Sequence, residues 1–229
     1  MKRGKKYKES AKKYNPGNTY ELGEALGLVK TMAFAKFDET VDISVKLNIK
    51  KNHSVRDTVV LPNQFRGDKK VLVFCKPEKE KEAQEAGATF IGADDLIEKV
   101  KGGWTDFDVA VATPDMMKDV GKLGMVLGRK GLMPNPKTGT VTFDLKGTLA
   151  ELKKGRVEFR ADKTGVVHLA VGKVSMESEK VAENVKAVVT EIKRKRPADL
   201  KGEYISTVSV ASTMGPGVWV SIRDEEKEK

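Results

Sequence analysis

Between Thr40 and Ile49 the chain alternates without a fault. Val41, Ile43, Val45, Leu47 and Ile49 fall on one side, and Thr40, Asp42, Ser44, Lys46 and Asn48 on the other. A period of two sustained over this length describes a strand with one buried and one wet face. Such a strand needs neighbouring strands and a cover for its apolar side, while its polar side stays open to water.

The flanking segments supply those partners. Residues 2 to 13 carry Lys2, Arg3, Lys5, Lys6, Lys8, Lys12 and Lys13 against Glu9 alone, before the breaker Asn15-Pro16-Gly17-Asn18. This basic arm is open to two readings, a solvated helix or a direct phosphate contact. Thr19 is expected to cap a helix whose Leu22, Ala25, Leu26, Val29 and Met32 form one apolar stripe. A second strand is expected from Asp57 to Leu61. Arg156 to Arg160 and Val166 to Val171 flank Ala161-Asp162-Lys163-Thr164-Gly165 and read as a hairpin. Ser178 to Lys195 is an amphipathic helix with Val181, Val185, Val188, Val189 and Ile192 inward. Tyr204 to Ser212 and Val218 to Ile222 are strands joined through Gly215-Pro216-Gly217.

From Lys70 the style changes. Val71-Leu72-Val73-Phe74-Cys75 is continuously apolar, a charged helix runs from Glu78 to Ala86, Thr89-Phe90-Ile91 precedes a helix from Asp94 to Val100, and Val109 to Ala112 is apolar again. Strand, helix, strand in this manner predicts a parallel αβ layer. The expected architecture is therefore a discontinuous α+β domain with an antiparallel sheet, residues 1–67 and 158–229, interrupted by an inserted α/β, Rossmann-like domain, residues 68–157.

The net charge of +10 points to a polyanionic partner. Residues 68–157 hold 16 basic and 14 acidic side chains, so most of the excess, +8, lies in the split domain. No apolar run approaches the ~18 residues of a membrane span, and no signal-peptide core follows the basic N-terminus. Together with the single Cys75, this predicts a reducing, intracellular setting.

Catalysis lacks its raw material. His53, His168 and Cys75 are the only His and Cys residues and are widely scattered, which leaves neither a zinc site nor a Cys/His pair. Asp94 and Asp95 sit at a helix start and read as caps. Gly131-Leu132-Met133-Pro134-Asn135-Pro136-Lys137-Thr138 nearly spells a phosphate loop, but Pro136 replaces the second glycine and has no N–H for a phosphate oxygen. Gly128-Arg129-Lys130-Gly131 matches the G-x-x-G clamp of KH modules, an alternative that would place single-strand binding in the inserted domain. No enzyme, cofactor, metal or small-molecule substrate is expected.

The split domain offers a more coherent set. Lys36-Phe37-Asp38-Glu39-Thr40, Lys163-Thr164, His168, Lys173 and Thr213-Met214-Gly215 combine cations for phosphate, a ring for stacking, hydroxyls for a 2′-OH and a glycine for close backbone approach.

Four motifs in order resemble one family: Lys36-Phe37-Asp38-Glu39-Thr40, Leu127-Gly128-Arg129-Lys130-Gly131-Leu132-Met133-Pro134-Asn135-Pro136-Lys137, Asp162-Lys163-Thr164-Gly165 and Thr213-Met214-Gly215. From about Tyr7 to Val220 the chain resembles the bacterial type of the ribosomal protein L-one family. The resemblance implies a split domain that grips large-subunit rRNA and forms the mobile stalk beside the tRNA exit site, assisting release of deacylated tRNA. It also implies repression of the protein's own operon through an mRNA leader that mimics the rRNA site. Carried over by position, Lys36, Phe37 and Thr40 make the first RNA-contacting segment, Lys163, Thr164, His168 and Lys173 the second, and Thr213, Met214 and Gly215 a conserved triad. Gly128, Arg129, Lys130, Gly131, Pro134, Asn135, Pro136 and Lys137 mark the signature loop, to which no rRNA contact is carried. Arg129 stands where many members have proline, and the tail Arg223 to Lys229 receives no role. The implied protein is a cytoplasmic ribosomal component, a monomer when free. The Thr213 hydroxyl is expected to bond RNA and to be removable with little effect on folding.

Overall fold

The computed structural model describes residues 3–50, 53, 55–67, 69–200 and 202–221; Lys2, Ile222 and the tail lie outside them. The chain divides into two compact units, Met1–Phe65 with Phe159–Lys229, and Arg66–Glu158. The first unit opens with α1 (Lys5–Ala11), β1 (Thr19–Tyr20), α2 (Leu22–Met32), β2 (Thr40–Leu47) and β3 (Arg56–Val60). The second holds β4 (Val71–Phe74), α3 (Pro77–Glu85), β5 (Phe90–Gly92), α4 (Asp94–Lys101), β6 (Val109–Ala112), α5 (Met117–Val120), α6 (Gly124–Lys130) and α7 (Leu145–Lys153). After β7 (Arg156–Arg160), the first unit closes with β8 (Val166–Lys173), α8 (Ser178–Arg194), β9 (Ile205–Ser212) and β10 (Gly217–Val220).

Alternation in β2 becomes a two-faced sheet. Its order is β1-β10-β9-β2-β8, so β2 has antiparallel neighbours on both edges. Val41, Ile43, Val45 and Leu47 are buried, together with the Val181, Val185, Val188 and Ile192 stripe of α8 and Leu26, Val29 and Met32 of α2. Helices α2 and α8 pack on each other and on the strands. The opposite face keeps its access to solvent: Asp42, Ser44 and Lys46 are half-buried, and His168 and Trp219 are exposed.

An irregularity in β8 decides what this open face presents. Asp42 pairs with Ala170 but Val41 pairs with Gly172, so one extra residue is accommodated between them. Without that bulge, Lys173 would share the core parity of Val167, Leu169 and Val171. With it, Lys173 lies opposite Thr40 on the solvent face, while Gly172 turns inward. A Cβ on Gly172 would stand 2.8 Å from Val181 Cγ2, so the helix can pack there only over glycine.

Two expectations fail on partner choice. Thr19 does not cap α2: it joins Tyr20 as a parallel edge strand beside β10, with Ser221 N–H donating to Tyr20 O at 2.9 Å, and Glu21 takes the N-cap position. The unpaired edge of β10 draws this segment into the ladder. Nor do β7 and β8 form a hairpin. β8 pairs with β2, where its alternate side chains reach the shared core, and β7 pairs with β3, leaving the isolated bridge Ala161–Val167 between them.

In the second unit β4 lies between β5 and β6, all parallel. Leu72 and Phe74 enter one apolar cluster with Leu96, Val100 and Leu127, while Val71, Val73 and Cys75 enter another with Ala83, Leu145 and Leu149. Both faces are covered, which is why this strand is apolar at every position. Burial raises the Cys75 thiol above its ordinary pKa. Ala93 takes the N-cap position of α4, so Asp94 and Asp95 are not its caps but lie in its first turn. No described helix is long and apolar enough to cross a membrane.

One buried polar side chain ties the first unit together. Asn184 of α8 is fully buried, donates to Asn63 O at 2.8 Å and Val171 O at 2.7 Å, and accepts from Asn63 N–H at 2.9 Å. Asn184→Leu should cost about 2 kcal/mol, because one buried and two part-buried backbone groups lose their partner; chemical denaturation checks this, and unchanged stability would contradict it.

Candidate nucleic-acid interface

The end of the sheet where β2 begins and β9 stops is organised by a buried carboxylate. Glu39 is 1% exposed. Its Oε1 accepts from the N–H groups of Phe34 at 3.0 Å and Ala35 at 2.8 Å, and its Oε2 accepts from Met214 N–H at 3.0 Å. Burial pushes its pKa up, but the N–H donors of Ala35 and Met214, joined by the nearby Ser212 hydroxyl and Phe34 N–H, outweigh that and hold it below the usual carboxylate value. One anion thus fastens the loop carrying Lys36 and Phe37 to the turn carrying Met214. Asp38 makes a second tie, accepting from Ser175 N–H at 3.1 Å and Ser175 Oγ at 2.8 Å, with Lys173 Nζ 3.6 Å away. The Ser175 hydroxyl leads the causes that lower its pKa.

Phe37 and Met214 are left in water on this fixed backbone, 57% and 51% exposed. Lys36, Thr40, Lys173, Thr213 and Gly215 share the same end, since Thr40 lies opposite Lys173 and bonds Thr213. The hydroxyl of Thr213 has a structural task that its sequence context did not show. It accepts from Thr40 N–H at 3.0 Å and donates to Thr40 O at 3.2 Å, extending the β2–β9 ladder by a side chain. Gly215 is also needed from within: a Cβ there would meet Ser212 Oγ at 2.4 Å.

The remaining predicted residues do not join this tip. Lys163 and Thr164 sit in the turn before β8, where Gly165 O accepts from Leu47 N–H at 2.8 Å, at the far end of β2. At the ~3.3 Å rise of a strand residue, that is about 20 Å from Thr40. Thr164 is held by Asp162, which accepts from its N–H at 2.8 Å and its hydroxyl at 2.7 Å, and Lys46 Nζ donates to Thr164 O. His168 lies between the two ends, opposite Ser44, whose Oγ is 3.0 Å from its Nδ1. The expected second segment is therefore spread along the whole length of β8.

The sequence motifs include Glu39 and Asp38 but give them no role of their own. A signal for Glu39 was present: it shares the parity of Val41, Ile43, Val45 and Leu47, and a charge on the core side of a strand must be hydrogen-bonded.

Residues 29–216 match the model of the ribosomal protein L1p/L10e family. The chain belongs to that family. It is 65% identical over 223 residues, 97% of its length and 99% of the relative's, to the large ribosomal subunit protein uL1 of Treponema denticola. The proteins of the same name from Treponema pallidum and Borreliella burgdorferi are 58% identical over 226 residues and 56% over 220, covering 99% and 96% of the chain and 100% and 97% of their own lengths. Membership of a ribosomal L1p/L10e family takes the chain out of the enzyme classes weighed from its sequence.

The signature loop of this L1p/L10e-family chain folds upon itself. Gly128, Arg129 and Lys130 are the exposed last residues of α6, and Gly131 ends the helix in the left-handed region. Helical Gly128 does not provide the loop of a KH clamp. Asn135 organises the next turn, accepting Lys137 N–H on its side chain at 2.8 Å and Thr138 N–H on its carbonyl at 3.2 Å, above a buried Pro134. The N–H groups that a phosphate cradle would need are engaged, and Pro136 opens a 3-10 turn.

The tip can be tested through its two internal ties. Glu39 has a lowered pKa, so its contribution is present above the unfolded value of about 4.3 and is lost as pH falls through the folded value. Glu39→Gln should cost about 2 kcal/mol at pH 7 and lack this part of the acid loss, so its stability and that of the parent should converge in denaturation curves taken between pH 7 and 3.5. Thr213→Val should lower stability by about 1 kcal/mol, visible as a fall in Tm, because Thr40 N–H loses its acceptor.

Proposed function

We propose that this protein is a structural constituent of the large ribosomal subunit, cytoplasmic and lodged in the ribosome. Its split unit, residues 1–67 with 158–229, grips large-subunit rRNA, and residues 68–157 form the inserted Rossmann-like domain. In this reading the complex makes the mobile stalk beside the exit site and assists release of deacylated tRNA. The same surface binds the leader of the protein's own operon mRNA and represses its translation. The free protein is a monomer and needs no cofactor.

The observation that carries this reading is the tip. Two large apolar side chains, Phe37 and Met214, stand in water on a backbone locked by Glu39, beside Lys36 and Lys173. Holding them there in advance avoids part of the ordering cost of binding. A ring can stack on a base, a thioether can pack against sugar, and the lysines meet phosphate. Recognition of this kind depends on shape and backbone. The hydroxyls of Thr213 and Thr164 position the protein segments and contribute to RNA contact through that placement. Membership of the L1p/L10e family and the near-full-length likeness to proteins named for the large ribosomal subunit support the same reading.

Phe37→Ala and Met214→Ala should each weaken binding to purified large-subunit rRNA about tenfold, the order of one lost stacking or packing contact, with Tm unchanged. Filter-binding titrations between 50 and 200 mM salt should show affinity falling steeply as counterions are released. Full affinity in both variants, or binding that stays flat with salt, would overturn the reading.

A further inference from the structure

We infer that a second RNA subsite lies at the end of the sheet away from the tip, where an unpaired base stacks on Trp219 of the open face and Lys193 and Arg196, from the end of α8, meet the adjoining phosphate. It rests on the rRNA reading above and extends it to a surface that none of the family motifs marks.

Trp219 stands between buried Val218 and buried Val220 in β10, so its side chain belongs to the solvent face, and it is 41% exposed. It lies opposite Ser209, which lies opposite Ser44, which lies opposite His168. One row across the sheet thus carries an indole, two small hydroxyls and an imidazole. The serines leave a low floor beside the ring, over which a planar group can approach.

Beside Trp219 a groove of about 810 Å³ is lined by Thr19, Lys193, Arg196, Ser206 and Thr207. A second irregularity shapes it: Lys46 pairs with Thr207 but Leu47 with Ile205, so Ser206 is extra, and Ser206 and Thr207 are both exposed. The cations come from Lys193-Arg194-Lys195-Arg196, the run that ends α8. Arg196 is held by Nη2, which donates to Leu200 O at 2.8 Å and Gly202 O at 2.9 Å, so its guanidinium is fixed in advance. Among the described lining residues Glu203 is the one carboxylate, set against these two cations.

This chemistry selects the occupant. An aromatic ring, hydroxyls and guanidinium around a concave site are the components that hold a single-stranded nucleotide, by stacking and phosphate contact without base-edge code. The volume falls in the ~300–1,000 Å³ range of small-ligand clefts and suits one or two nucleotides rather than a duplex. Trp219 is level with Ser44, which lies four residues, about 13 Å, along β2 from Thr40, and it stands two strands, about 10 Å, across the sheet from β2. One RNA strand can span both places.

The chain has two tryptophans, so Trp104→Phe makes Trp219 the sole indole reporter. In that background, purified large-subunit rRNA and, separately, a ten-nucleotide oligoadenylate should quench its fluorescence saturably, whereas polyglutamate should not. Trp219→Ala should weaken rRNA binding at least about fivefold with unchanged Tm, and Trp219→Phe should keep most of the affinity. If Trp219→Ala fails to fold, the quenching decides. Tight rRNA binding with no quenching, equal quenching by polyglutamate, or full affinity in a folded Trp219→Ala would overturn the subsite while leaving the rRNA reading intact. Quenching by oligoadenylate in a protein that does not bind rRNA would support the subsite and sink that reading. Silence toward both nucleic acids would sink both.

Discussion

The first unit depends on a carboxylate placed where a strand would ordinarily carry an apolar side chain. Glu39 occupies the last core-side position before β2, and taking its charge out of water costs several kcal/mol unless donors replace the lost hydration. Three backbone N–H groups from two separate segments do so. The requirement runs in both directions. The carboxylate needs the loop and the turn, and these irregular segments need an acceptor for N–H groups that no strand or helix satisfies. Their mutual satisfaction joins two irregular connections into one surface.

That surface is asymmetric in its use of polar groups. Hydroxyls and carboxylates near the tip, those of Thr213, Glu39 and Asp38, are turned to intramolecular bonds, whereas the apolar Phe37 and Met214 face water. An interface assembled from a residue list assigns the polar atoms to the ligand and the apolar ones to the core. Here the assignment is reversed, which suits a ligand whose sugar and base faces need packing and whose phosphates are reached by flexible lysines.

What was legible in the sequence is what periodicity encodes locally. The parity of β2, the valine stripe of α8 and the uninterrupted apolar run of β4 each report how many of their faces are covered, because burial acts residue by residue. Partner choice is not encoded that way. Thr19 has the composition of a cap and became an edge strand because β10 offered an unpaired ladder; β7 and β8 are neighbours in sequence but separate because β2 matches β8 along its full length. The candidate residues were found as types, yet their distribution was not visible. Lys173 and Lys163 belong to one segment in sequence and to opposite ends of a sheet in space.

The bulge at Val171 and Gly172 gives that strand two reading frames. Up to Ala170 the even-numbered residues face solvent; past the bulge the odd-numbered Lys173 does. Phase in this strand is thus a quantity the chain resets by one step, and the glycine that makes the reset possible is set by the girth of Val181 on the far side of the sheet. A helix packing contact in the interior therefore specifies which cation is displayed on the exterior. Homologous chains that differ by one residue in this stretch, or that fill the glycine, would carry the same motif letters while presenting a different face.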